Sequence, residues 1–146
     1  MPRHSVRRHF SCAPRQLFDI VADVEKYPEF LPWFVAVRVI RRRNRVLEVE
    51  QVVRLKMLRL RFLTTATMEP PRHIGIVSTA WPFRSFGQSW RFSPDPSGGT
   101  LVEFEIDVAL RPSPLQALAA LLVDRDRLSA AIVARFESRV GQLHRR

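Results

Sequence analysis

Between Val35 and Leu110, apolar and polar residues exchange places at every second position, segment after segment, and no other feature constrains the fold as strongly. Leu47, Val49, Gln51, Val53 and Leu55 fall on one side, against Glu48, Glu50 and Arg54. Leu58, Leu60, Phe62, Thr64, Ala66 and Met68 oppose Arg59, Arg61 and Glu69. Phe86, Gln88, Trp90 and Phe92 oppose Gly87, Ser89 and Arg91, and Val102, Phe104, Ile106, Val108 and Leu110 oppose Glu103, Glu105 and Asp107. Successive side chains of a strand point to opposite faces, so each segment presents one apolar face. Repeated this often, the pattern requires an antiparallel sheet with one covered face. Pro70-Pro71, a Trp81–Ser85 loop and the Asp95–Gly99 turn punctuate it, and Arg41–Arg45 reads as a further loop.

The cover comes from the C-terminal region. Ser113-Pro114-Leu115-Gln116 reads as an N-cap serine, a proline at the first helical position and a Gln three after the cap. Leu115, Leu118, Leu122, Ser129, Ile132, Val133, Phe136, Val140 and Leu143 then follow at helical spacing. A helix of about 30 residues would run about 45 Å and span the sheet. Ahead of the sheet, residues 3–10 form a first strand, and Leu17, Ile20, Val21 and Val24 mark a short helix over 11–24. Pro28 and Pro32 stiffen an aromatic connector over 27–33 with room for one helical turn. The fold class is therefore α+β, one domain over 1–146. A curved antiparallel sheet of six to seven strands wraps a long C-terminal helix, leaving a space between concave face and helix.

Composition narrows the function. No apolar run reaches the ~18 residues of a membrane helix, and no apolar segment follows the basic N-terminus to make a secretion signal. A lone Cys12 excludes an internal disulfide and a Cys-based zinc site. The four histidines show no metal spacing, none lies beside an obvious carboxylate pair, and no Gly-rich phosphate loop exists. Net charge is +10, and all but Lys26 and Lys56 of the 24 basic residues are Arg. Arg7 and Arg91 can answer the Glu103, Glu105 and Asp107 stripe if the first and last strands pair. The excess at 41–45 and on the last helix suits an anionic membrane surface as well as RNA, and no DNA partner is expected.

Aromatic residues gather in two proline-flanked clusters, Phe30, Leu31, Trp33 and Phe34 on the connector and Trp81, Phe83 and Phe86 on a loop. With Phe62 and Trp90 on the apolar face and Leu118 and Leu122 on the long helix, they are candidates to line an apolar cavity. Gln51 and Gln88 interrupt the apolar face, as do Thr64 and Ser78, and a few such polar groups orient a ligand with a polar head. The hairpin tip Lys56-Met57-Leu58-Arg59 is apolar yet basic, a composition that suits membrane contact.

The run Val21-Ala22-Asp23-Val24-Glu25-Lys26-Tyr27-Pro28-Glu29-Phe30-Leu31-Pro32-Trp33 resembles the hallmark of the coenzyme Q-binding START-domain proteins. Pro82-Phe83-Arg84 with Trp90-Arg91-Phe92, and Phe136-Glu137, resemble two further, weaker motifs of that family. It belongs to the helix-grip group of polyketide cyclases and lipid-transfer domains, which also holds the ribosome-association toxin. The resemblance implies a helix-grip fold whose cavity takes a hydrophobic ligand, ubiquinone or a similar prenyl lipid. It also implies a binding or chaperone role in respiration and quinone synthesis, without catalysis or cofactor. The family pattern continues Pro-Trp-Cys where this chain has Phe34, so any role of that thiol is absent. A start almost at the first strand, without a mitochondrial presequence, leads to the expectation of a bacterial cytoplasmic protein, peripheral at the inner membrane.

Two other readings stand beside lipid binding. One is a ribosome-associated, toxin-like translation regulator on the large ribosomal subunit, although no aromatic residues interleave the basic patches. The other is a cyclase or hydratase-type enzyme, for which no inward acid–base pair is apparent.

Overall fold

The alternating segments form the strands β1 (Arg3–Phe10), β2 (Phe34–Arg43), β3 (Val46–Leu55), β4 (Leu58–Glu69), β5 (His73–Ser78), β6 (Phe83–Pro94) and β7 (Thr100–Leu110) of a computed structural model. It describes residues 3–55, 58–81, 83–111 and 125–143. All neighbours are antiparallel, in the order β1-β7-β6-β5-β4-β3-β2. Strands adjacent in sequence pair by hairpins, except that β1 closes on β7 and leaves β1 and β2 as the two edges. Arg7 stands opposite Glu103, which stands opposite Arg91, and the Arg7 guanidinium donates to Glu103 at 2.9 Å. The acidic stripe is thus on the outer face, as the alternation predicts, but among the described residues only Glu103 is answered by arginine, through Arg7; Arg91 makes no ion pair and Asp107 Oδ1 is buried without a hydrogen-bond partner.

The segment joining the two edges is α1 (Pro14–Ala22) followed by a 3₁₀ helix (Val24–Glu29), shorter and more sharply divided than a single helix over 11–24. Pro14 starts α1, and Gln16 accepts the Ala13 N–H at 3.0 Å. Leu17, Phe18 and Val21 are buried, Phe18 meeting Phe92 edge-to-face at 5.8 Å. The Tyr27 hydroxyl donates to the Val21 carbonyl, occupying a last-turn acceptor that the helix leaves unpaired. Burial, reinforced by the Asp23 charge, pushes the Tyr27 phenol well up, so it remains a donor. Glu25 accepts the Val39 N–H at 3.2 Å, tying this segment to the edge strand β2 beside its register shift.

The described C-terminal helix, α2 (Arg125–Leu143), lies against β1, β7 and α1 and buries Ile132, Val133, Phe136 and Val140. Its 19 residues span about 28 Å. The expected cap at Ser113-Pro114 and the Leu118 and Leu122 turns lie outside the described residues. Arg8 ties the helix to β1 through Glu137 at 3.2 Å, and Arg139 ties it to the connector through Glu29 at 2.9 Å.

Two expected loops are strand instead. Arg41, Arg42 and Arg43 belong to β2, because Asn44, at φ 52°, and Arg45 suffice for the tight turn to Val46. Phe83 joins Phe86 in β6, which starts three residues earlier than expected: a register shift between Phe83 and Ser85 inserts one residue and keeps both rings on the concave face. Trp81 is 59% exposed just ahead of it.

Candidate functional site

The concave face divides into two apolar regions. The larger is a packed core in which α1, the 3₁₀ helix and α2 cover Val49, Ile74, Trp90, Val102 and Phe104. Trp90 is 1% exposed, with Phe104 at 4.5 Å, Phe136 at 4.8 Å and Phe92 stacked at 6.3 Å between ring centroids. Leu31 is 2% exposed in the same core. Two of the residues singled out as cavity lining therefore sit in close-packed surroundings.

The smaller region is a separate cluster of Val53, Leu60, Phe62 and Phe83, with Phe34, Phe86, Val108 and Leu110 partly buried against it. Phe62, Phe83 and Phe86 form an aromatic triangle, with centroids 4.8, 5.1 and 6.2 Å apart. The three rings come from β4 and β6 with the short β5 between them. They converge because the alternation places each on the concave face at the same end of the sheet. Phe34 touches both regions, as its position at the start of β2 beside Tyr27 requires (5.6 Å).

Polar groups border this cluster. Gln51 faces Phe62 across the β3–β4 ladder, and its amide nitrogen donates to the Thr64 hydroxyl at 2.8 Å. The Ser78 hydroxyl donates to the Leu63 carbonyl, and Phe86 stands opposite Ser78. Gln88 accepts the Trp90 indole N–H at 3.0 Å. The half-buried Gln51 keeps its carbonyl oxygen, and the half-buried Gln88 its amide hydrogens, without a further partner among the described residues. An acceptor and a donor beside an aromatic wall can orient a planar head group bearing both carbonyl and hydroxyl functions.

A second concavity, about 390 Å³, lies between the connector and α2. Pro28, Phe30 and Pro32 form one wall, and Arg135, Ser138, Arg139 and Gln142 the other. Phe30 is half-buried against Phe136 at 5.0 Å, so the connector ring expected inside the cavity faces this outer groove as well. Arg135 and Arg139, one helical turn apart, are legible as a pair in the sequence; their meeting with the connector is not. Trp33 packs on the large core, and its carbonyl accepts the Arg54 N–H at 2.7 Å.

Lys56 and Met57 lie outside the described residues, as do Leu118 and Leu122; Leu58 begins β4 opposite Leu55, and Arg59 is exposed opposite Arg54. Val53, Leu60 and Val108 join the lining without having been singled out by composition, although each shares the period-two phase of Phe62 or Gln88. Among the described residues no three His, Cys, Asp or Glu come together as metal ligands, and no helix is long and apolar enough to cross a membrane.

A family described as polyketide cyclase/dehydrase and lipid transport matches residues 11–136. The chain belongs to this family. Two relatives named ribosome association toxin RatA, from Rickettsia prowazekii (strain Madrid E) and Pseudomonas aeruginosa, are 36% identical over 95 and 78 residues. Those matches take in 62% and 53% of this chain and 65% and 54% of the relatives, less than two thirds of their length. Among solved structures, a Thermus thermophilus protein superposes with a TM-score of 0.84 at 18% identity, over 98% of this chain and 99% of its own. The Zhui aromatase/cyclase of a Streptomyces species gives 0.79 at 13% identity over 98% and 96%. A START superfamily protein of Mycobacterium smegmatis gives 0.77 at 21% over 97% and 98%. The helix-grip architecture implied by the connector motif is therefore the architecture found; a specificity for coenzyme Q is not part of that likeness.

Proposed function

We propose that the chain carries a hydrophobic prenyl lipid, ubiquinone or a close analogue, on the concave face, a binding site without catalysis of its own. The observation that carries this reading is the Phe62–Phe83–Phe86 triangle bordered by the free carbonyl of Gln51 and the free amide of Gln88. Aromatic walls favour a flat quinone ring, and each buried CH₂ of the tail contributes about 0.8 kcal/mol, so a few isoprene units supply micromolar binding. The described polar groups bordering the aromatic cluster are amides and hydroxyls, which orient a ligand and do not transfer protons at neutral pH. That supports carriage over a cyclase reaction. The carrier would work in the bacterial cytoplasm, loading at the anionic face of the inner membrane.

Organic extraction of protein purified from a quinone-producing host, followed by mass spectrometry, tests the reading. Recovery of near-stoichiometric prenyl quinone is expected, with loading reduced severalfold in Phe62→Ala. A folded protein that yields no prenyl lipid overturns it.

A second reading, association with the large ribosomal subunit, is favoured by the two relatives whose names state ribosome association. Arg42, Arg43, Arg54 and Arg59 are exposed, with no carboxylate partner among the described residues, which adds charge suited to RNA. Co-sedimentation with large subunits that persists at moderate salt would support it; binding lost at modest salt would reduce it to general attraction between charges.

A further inference from the structure

On the outer face of the sheet, away from the concave site, three side chains make a chain of hydrogen bonds that their sequence spacing conceals. His73 Nδ1 lies 2.9 Å from Glu69 Oε2, and His73 Nε2 lies 2.9 Å from the Ser89 hydroxyl. A carboxylate only accepts, so Nδ1 carries the proton and Nε2 is left to accept the Ser89 O–H. That is the tautomer and the polarity of a nucleophile, a base and a carboxylate that orients the base. The spacing arises because Glu69 and His73 flank the Pro70-Pro71 turn between β4 and β5, while Ser89 lies on the neighbouring β6 opposite Gly75.

The surroundings leave the hydroxyl approachable. Gly75 and Gly87 flank Ser89 on the same face, and a Cβ on Gly87 would meet nothing within 4 Å. His73 is 23% exposed. Arg91, the ladder partner of His73 and two residues along from Ser89, makes no ion pair among the described residues. Its guanidinium is available to a negative charge that develops beside Ser89.

We infer that Ser89 is a base-activated nucleophile that accepts an acyl group from an activated ester on the outer face of the sheet. Ser89 Oγ forms a bond to the ester carbonyl carbon while its proton passes to His73 Nε2. The carbon–oxygen bond to the leaving group then breaks, and that group departs with the proton from His73. Water, its proton taken by His73, hydrolyses the acyl-serine and restores the hydroxyl. Ser89 and His73 are the catalytic residues, Arg91 steadies the oxyanion, and Glu69 is a positioning residue.

The test uses the full chain with a fluorophosphonate probe and with p-nitrophenyl acetate, followed by peptide mass mapping. One adduct on Ser89 is expected, absent in Ser89→Ala and formed about a hundredfold more slowly in His73→Asn. Glu69→Gln should slow adduct formation severalfold, and Glu69→Asp should recover part of that rate with the adduct still on Ser89. Labelling elsewhere, no labelling of a protein whose circular dichroism is native, or equal rates in His73→Asn would overturn the inference. Lipid loading of Ser89→Ala should match the parent chain, which separates this site from the concave one.

Discussion

Arg139 lies over the ring of Phe30, its guanidinium carbon 5.1 Å from the ring centroid, so a cation on α2 is held against an aromatic side chain of the connector. The same guanidinium donates to the neighbouring Glu29, and all three residues line the outer groove. Cation–π contacts of this exposure contribute about 0.5–1 kcal/mol. Arg139→Met should therefore lower stability by about that amount in urea denaturation, with the slope unchanged. A loss of several kcal/mol would mean that the pair organises the packing of the whole helix.

The Arg139 hydrogen bond holds the Glu29 carboxyl below its ordinary value of 4.5, with smaller help from Lys26. A carboxyl depressed in the folded state stabilises above its unfolded pKa and loses that contribution as pH falls through the folded value. In NMR titration, Arg139→Met should return Glu29 towards its ordinary value. Glu50, lowered chiefly by Arg61 and further by Arg38, should not move.

Phe136 sits among Trp90, Phe30 and Tyr27 at 4.8, 5.0 and 5.4 Å. Phe136→Ala should cost about 3–5 kcal/mol, the range for a ring deleted from a close-packed core. Chemical denaturation measures it, and a loss below about 1 kcal/mol would show that α2 does not anchor the core.

Gln51 and Thr64 satisfy one another at 2.8 Å, so removing both leaves no orphaned partner. Gln51→Leu combined with Thr64→Val should leave stability within about 1 kcal/mol of the parent. Quinone affinity should fall about two- to tenfold, one hydrogen bond's worth. Unchanged affinity by fluorescence titration would remove Gln51 from the ligand contacts.

Gly99 has φ +78°, and a Cβ there would come within 2.3 Å of the Phe10 carbonyl oxygen. Gly99→Ala should destabilise by at least about 2 kcal/mol through backbone strain and that clash. Gly87→Ala, with open space around it, should stay within about 0.5 kcal/mol. Thermal melts of the two variants give the comparison directly.

The strands are legible in the sequence because period-two alternation is a local signal that burial of one face enforces residue by residue. The outer-face match of Arg7 with Glu103 follows from it once the end strands pair. Asn44 and the inserted residue near Arg84 are not legible, since a single turn residue and a one-residue bulge leave the surrounding pattern intact. For the site, composition picks out Phe62, Phe83, Gln51 and Gln88 but cannot separate them from Trp90 and Leu31. Periodicity and apolar context treat all six alike, and only the course of α1 and α2 decides which are covered. The contacts of Arg139 with Glu29 and of His73 with Ser89 depend on elements meeting in space, which spacing along the chain does not encode.

The pairing of β1 with β7 has a consequence in time. Arg7 and Glu103 are 96 residues apart, and no strand made earlier than β7 pairs with β1. At about 5–20 residues per second of synthesis, β1 waits on the order of 5–20 s for its partner. The sequence Arg3-His4-Ser5-Val6-Arg7-Arg8-His9 suits that wait, since charge along an unpaired strand discourages pairing with the wrong neighbour. The five hairpin-linked strands from β2 to β6 can assemble as they emerge, so β1, made before any of them, is among the last strands to find its place.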